Sequence, residues 1–355
     1  MGSAKPQQAQ RSWRRTERNF STGLGSASLS YPLRKVHGIS IVPLEPPSEP
    51  NLNPAQIDAE RLLREPRHER PQHRGDLRDE LFAFLEEELR EVAAWINKPL
   101  HISKHTLATV HGCEERFVHE LDQPFTANAA TVRGSVAHKA LELSVSAPGY
   151  SPIKLVDRAL ERLASGDDWV ADWLGAADEL DRAEVRTMAA DRVAKFVECF
   201  PPLRSGWRPV PESRWAKDLH NGRIQLRGKV DLTIGAADGL RAGKVVIDFK
   251  TGNRAANHVE DLRFYALLET LRLGTPPWKV ATYYLDSGTF AVEIVTEAML
   301  QAAARRVADG AIKFAELRDG ERAPVRRTGP TCGWCPLLEQ CEDGKRARAR
   351  WDEFS

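Results

Sequence analysis

The chain has 355 residues, 51 Lys and Arg against 50 Asp and Glu, a formal net charge of +1 and 41% hydrophobic residues. At roughly 150 residues per domain this length predicts two folded units, or one larger domain with appendages, and the composition excludes a chain disordered throughout. No apolar run reaches the roughly 18 residues of a membrane span, and the opening MGSAKPQQAQRSWRR carries no apolar stretch of the secretory kind. Five cysteines are too few and too scattered for a disulfide scaffold. A reducing, cytoplasmic setting is therefore expected, in which clustered cysteines are metal ligands or redox groups. The near-zero net charge gives no sign of a nucleic-acid partner.

Residues 1–74 lack sustained periodicity and are punctuated by Pro43, Pro46, Pro47, Pro50, Pro54, Pro66 and Pro71. They are expected to form a flexible or loosely packed arm, with Ile39 to Val42 as a short strand. Over residues 75–100 the pattern Leu77, Leu81, Phe84, Leu85, Leu89, Val92 and Ile96 predicts one amphipathic helix ended near Pro99. Ser103 is a good N-cap for a second helix through Leu107, Val110, Cys113 and Phe117. Further helices are predicted for Val132 to Ser144, Ile153 to Leu163 and Ala177 to Phe200. The period then changes to that of strands at Trp215 to Leu219, Ile224 to Ile234 and Lys244 to Lys250, with turn signals at His220-Asn221-Gly222 and Ala237-Asp238-Gly239. A helix from Ala256 to Leu273, a hairpin of Val280 to Leu285 with Phe290 to Val295, and a helix from Glu297 to Leu317 follow. A cysteine-rich segment, Thr331 to Cys341, and a basic tail over 346–355 complete the chain. Helices around a small mixed sheet predict an α/β fold.

The most informative segments are Arg227-Gly228-Lys229-Val230-Asp231 and Val245-Val246-Ile247-Asp248-Phe249-Lys250. Side chains alternate across a strand, so Asp248 and Lys250 share a face with Val246, opposite Ile247 and Phe249. If Asp231 faces the same way, two carboxylates and a lysine converge. Such a set suits a hard divalent cation, Mg2+ or Mn2+, with the lysine orienting an attacking water. Asp-x-Lys alone is a common surface ion pair, and its company gives it meaning. Upstream lies Arg133-Gly134-Ser135-Val136-Ala137-His138-Lys139-Ala140-Leu141-Glu142, where Gly134 would allow a close backbone approach.

The succession Gly-x-x-x-His-x-x-Leu-Glu, Gly-x-x-Asp, Asp-x-Lys-Thr-Gly and a helix with a tyrosine resembles the PD-(D/E)xK nuclease superfamily, in particular its RecB-like branch, over roughly residues 101–345. The resemblance implies a restriction-endonuclease-like core and a divalent-metal-dependent deoxyribonuclease acting on single strands or DNA ends in repair, recombination or defence. It also implies that His138, Asp231, Asp248 and the main-chain carbonyl of Phe249 ligate the metal, with Lys250 catalytic. The next motif, Gln-x-x-x-Tyr, reads Asp261-Leu262-Arg263-Phe264-Tyr265 here. Tyr265 matches. Asp261 departs from the pattern, and is read either as an indirect metal ligand or as a helix cap, with Arg263 taking over a phosphate contact. A DNA-binding or assembly module of the same fold, with weak or no cleavage, is the rival reading.

Cys332-x2-Cys335-x5-Cys341 is a metal-binding spacing that needs a fourth ligand, for which Cys113 is the candidate. The resemblance implies that Cys113, Cys332, Cys335 and Cys341 hold a [4Fe-4S] cluster stapling the two ends of the domain; zinc is the alternative that thiolate chemistry leaves open. Cys199 is read as a small buried hydrophobe, and Trp334 as core packing ahead of a base-stacking surface. No G-x-x-x-x-G-K-[ST] phosphate loop occurs, so a motor, if used, is a separate helicase or other subunit. Arg133, Lys139, Arg254 and Arg263 are candidate DNA contacts. The run Lys345 to Arg350 is either a further contact or a solvated helix end.

Overall fold

The computed structural model describes residues 51–121, 123 and 125–352. The strand expected at Ile39 to Val42 lies outside them. The fold is built on one mixed sheet of six strands: β1 (Leu100–Ile102), β2 (Val210–Leu219), β3 (Ile224–Ile234), β4 (Val245–Lys250), β5 (Lys279–Tyr284) and β6 (Thr289–Ile294). β2 and β3 form an antiparallel hairpin whose loop passes through His220, Asn221 and Gly222, all at positive φ, the region that Asn and Gly tolerate best. β4 and β5 are parallel, and β6 returns antiparallel to β5. Both faces of β4 are covered, which explains why Val245, Val246 and Ile247 are apolar in succession. Val246 joins a core with Leu85, Leu267 and Leu300, whereas Ile247 and Phe249 join another with Val136, Val193 and Phe196.

β3 organises everything that follows. One edge pairs with β2 along most of its length. Its other edge pairs in parallel with β1 over Ile224 to Leu226 and antiparallel with β4 over Leu232 to Ile234. Residues 227–231 thus lie between two ladders without a strand partner on that edge, among the described residues.

Helices cover both faces. α1 (Pro54–Leu63), α6 (Ala129–Ser146), α7 (Pro152–Ala164), α8 (Trp169–Ala176) and α9 (Glu179–Cys199) contribute to one core. The other is built from α2 (Leu77–Glu88), α3 (Arg90–Trp95), α4 (Lys104–Val110), α10 (Asn257–Leu273) and α11 (Glu297–Arg318). α5 (Glu114–Leu121) and α12 (Glu342–Asp352) flank the cysteine-bearing 3-10 turns.

Several expectations are corrected. Residues 54–63, expected as part of a loose arm, form α1. Pro54 stands in its first turn, where the missing N–H does no harm, and Asn53 and Gln56 make a capping box. Those two side chains also donate to the carbonyls of Glu198 and Val197 near the end of α9, while Leu63 is buried. The helix expected from Asp76 to Asn97 breaks at Leu89. The one expected from Ser103 through Phe117 breaks before Glu114, leaving Cys113 in the bend, although Ser103 does cap α4. β1 and α8 were not foreseen. The basic tail is largely the helix α12, begun by Glu342 and Asp343, whose carboxylates pair with Lys345 and Arg346. Gly134 is not a close approach: a Cβ there would meet only Thr251 Oγ1 at an ordinary 3.7 Å.

Candidate active site

The unpaired stretch of β3 is where the chemistry-bearing side chains meet. The β3–β4 ladder ends at the pair Leu232 and Ile247, and its next step would set Asp231 opposite Asp248. Instead the Asp231 carboxylate accepts the Phe249 N–H at 2.7 Å, a backbone donor that a continued ladder would have used. On the far side of the opening Tyr265 of α10 donates its hydroxyl to the Lys229 carbonyl at 2.5 Å. Gly228 lets that ring in, since a Cβ there would lie 2.6 Å from Tyr265 Cε1. The splayed backbone is thereby satisfied by two side chains, and a cavity of about 980 Å3 opens onto it.

Two clusters line the opening. In the first, ligand atoms of His138 from α6, Glu212 from β2 and Asp231 from β3 all lie within 4.8 Å of one another, and His138 Nδ1 stands 3.1 Å from Asp231 Oδ1. The β2 register sets Glu212 opposite Asp231, but Glu212 has φ of 52° and is skipped in the pairing between Pro211 with Leu232 and Ser213 with Val230. A left-handed conformation at a non-glycine residue stores strain, which the ion pair with Lys229 helps to hold. In the second, Asp248 is fully buried. Lys104 lies 2.6 Å from its Oδ1 and Lys250 lies 3.0 Å from its Oδ2, while Lys250 also reaches Asp261 at 2.9 Å.

The electrostatics follow from these neighbours. Burial alone would raise the Asp248 pKa, but the two ammonium groups outweigh it and hold the carboxyl well below its usual range. Burial likewise opposes the charge on Lys104, but the surrounding acidic groups, Asp248 foremost, together outweigh it and keep the ammonium protonated. His138 is pulled down by burial, and Asp231, Asp248 and Glu212 together outweigh that and raise its pKa above the ordinary imidazole value. Glu212 moves up chiefly through burial, with Lys229 opposing. Tyr265 is pushed up by burial and stays a neutral donor.

The structure brings together His138, Asp231, Asp248 and Lys250 as the sequence suggested, and adds Lys104 and Glu212. Neither carried a sequence signal: Lys104 follows a three-residue strand too short for periodicity, and Glu212 lies upstream of the expected start of its strand. Phe249 contributes its N–H to Asp231 and packs its ring against Phe196. Tyr265 is corrected from a catalytic to a positioning residue, because its hydroxyl is committed to the Lys229 carbonyl. Asp261 neither caps its helix nor joins the acid cluster; it holds Lys250. Among the four candidate DNA contacts only Lys139 lines the cavity, paired with Glu142. Arg263 is corrected: its guanidinium is held by Glu293 at 2.7 and 3.1 Å and by Glu260. Arg254 lies over the Tyr284 ring and Arg133 is turned toward Met188.

Cys113, Cys332, Cys335 and Cys341 line one small enclosed cavity. Backbone N–H groups of Gly329 and Gly344 donate to the sulfurs of Cys332 and Cys341 at 3.4 and 3.3 Å. Burial pushes the Cys335 thiol up, and the neighbouring Cys113 and Cys332 add to the shift. Glu114 binds Arg322 in two-pronged fashion at 2.6 and 3.0 Å and accepts the Val325 N–H at 2.8 Å, tying α5 to the segment that leads to the cysteines. Trp334 is 67% exposed, contrary to the expectation of core packing. Cys199 is half-buried, away from the other cysteines.

The opening thus gathers a buried acid flanked by lysines, an imidazole and two further acids at a splayed strand pair, on a small mixed sheet flanked by helices. The profile of the PD-(D/E)XK nuclease superfamily matches residues 101–342, and the chain belongs to that superfamily. A solved structure of a candidate exonuclease from Eubacterium rectale is 12% identical over 68% of this chain and 87% of its own, with a TM-score of 0.41. The solved structure of SSO0001 is 14% identical over 74% of this chain and 95% of its own, with a TM-score of 0.30. No curated protein matches the chain.

Proposed function

We propose that the protein is a divalent-metal-dependent deoxyribonuclease that hydrolyses phosphodiester bonds in single strands or at DNA ends. The observation that carries this reading is the convergence of His138, Glu212, Asp231, Lys104 and Lys250 on one cavity, with Asp248 buried behind the two lysines. Carboxylate oxygens with one imidazole fit Mg2+ or Mn2+. His138, Glu212, Asp231 and Asp248 would hold the ion, which when bound supplies charge stabilisation at the phosphate and a more acidic water. Lys250, steadied by Asp248 and Asp261, is the group placed to orient the attacking water and to meet the charge that develops on phosphate. Tyr265 and Gly228 keep the strand open.

The four cysteines around one cavity, two of them receiving backbone N–H bonds, fit a thiolate-bound centre; we assign it as [4Fe-4S], with zinc as the alternative. Its role is to close the fold, joining α5 to the segment after α11, and a repair or defence pathway with a separate helicase suits a chain that carries no phosphate loop. The test is release of nucleotides from single-stranded and duplex DNA with Mn2+ and with EDTA, beside the absorbance of anaerobically purified protein. A broad band near about 400 nm supports iron and sulfur, and its absence with bound zinc supports the alternative. Binding without cleavage in Mg2+ and in Mn2+ would establish the assembly-module reading instead.

A further inference from the structure

We propose that Phe125 and Trp169 form a stacking subsite for one unpaired nucleobase of single-stranded DNA, in the same cavity as the acid and lysine clusters. Phe125 lies in the loop between α5 and α6 and is 61% exposed. A single exposed ring is ordinary on a protein surface; its place is what matters. Phe125 and Trp169 both line the cavity that holds Lys104, His138, Asp231 and Lys250. Their ring centroids are 4.9 Å apart with planes inclined at 62°, an edge-on contact that leaves a face of the exposed Phe125 ring uncovered.

The platform is held firmly. Asp168 caps α8 by accepting the N–H groups of Val170 and Ala171, which fixes Trp169 as the first residue of the helix, and Val170 and Leu174 anchor that helix in the core. Charge in the cavity is divided to match a nucleotide: acids and lysines at the splayed strands for phosphate, and an apolar ring for the base. Arg227 also lines it, adding positive charge for a backbone. A base inside a duplex has both faces taken by its neighbours, so a protein ring can stack only on an unpaired or extruded base.

This subsite rests on the nuclease reading for its DNA, and the test separates the two. Full-length Asp248→Asn protein, which keeps its substrate intact, is titrated with a short single-stranded DNA carrying one 2-aminopurine, whose emission is quenched by stacking. We expect quenching on binding. Phe125→Leu should abolish it and weaken binding about tenfold, the effect of one lost base stack, and Phe125→Trp should retain both. The exposed ring makes the leucine variant compatible with an unchanged unfolding temperature. Quenching and affinity unchanged in Phe125→Leu, loss in both variants, or tighter binding of the fully paired duplex or of the matching RNA would overturn the subsite. Wild-type cleavage is measured in parallel. Cleavage without Phe125 dependence removes the subsite alone, whereas Phe125-dependent quenching without wild-type cleavage removes the nuclease reading and leaves the subsite standing.

Discussion

Asp248 is fully buried between two ammonium groups, so its charge is needed where it is. Asp248→Ala should cost about 3 kcal/mol, because two partly buried ammonium groups lose their common partner; a denaturant titration measures it. Its depressed pKa gives stability that is complete above the ordinary carboxylate range and is lost only as pH falls through the lower folded value. His138 behaves in the opposite sense. Its raised pKa stabilises the fold below the ordinary imidazole range, and that contribution disappears as pH rises through the folded value. A cation must displace that proton, so apparent Mn2+ affinity should climb with pH above the ordinary histidine range, and His138→Asn should flatten the climb. A wild-type affinity independent of pH there would remove His138 from the ligand set. Gly228→Ala places a methyl against a buried ring, and should cost about 1–3 kcal/mol in unfolding free energy while moving Tyr265 off the Lys229 carbonyl.

At the scale of elements, the opening between β3 and β4 exists because Asp231 and Tyr265 take backbone groups that a longer ladder would have paired. The alternation Val246, Asp248, Lys250 against Ile247, Phe249 was legible because period two is fixed by strand geometry. The splay was not, since it depends on the Asp231 carboxylate capturing the Phe249 N–H and on a tyrosine from a distant helix. α1 was hidden by its prolines although its capping box stood in the sequence at Asn53 and Gln56. Helix breaks at Leu89 and before Glu114 were hidden by apolar periodicity that runs across them. The cysteine-bearing end is tied down by ion pairs. Glu114→Ala should lower stability by about 1–3 kcal/mol, because the Val325 N–H loses its acceptor while Arg322 keeps Glu316, with a thermal melt as readout. An unchanged melting temperature would show that the cysteines alone hold this end.

For the whole molecule, the balance of 51 basic against 50 acidic residues gives no sign of a nucleic-acid partner, and on the proposed reading that is because acids gather where phosphate would arrive. The motif residues His138, Asp231, Asp248 and Lys250 were legible from their order along the chain. Lys104 and Glu212 became visible only through the fold, since the start of α4 and the early part of β2 carry them to the same opening. Superfamily membership narrows the class of chemistry, and the cavity gathers the residues that the proposed reading assigns to it. The most direct measurement is Mn2+-dependent release of nucleotides from single-stranded DNA by the full chain, compared with Asp248→Asn, Lys250→Ala and Glu212→Gln. Cleavage by wild type, abolished by EDTA and reduced roughly a hundredfold or more in each variant, is the predicted result. Equal cleavage by wild type and the three variants would contradict the site described for this protein.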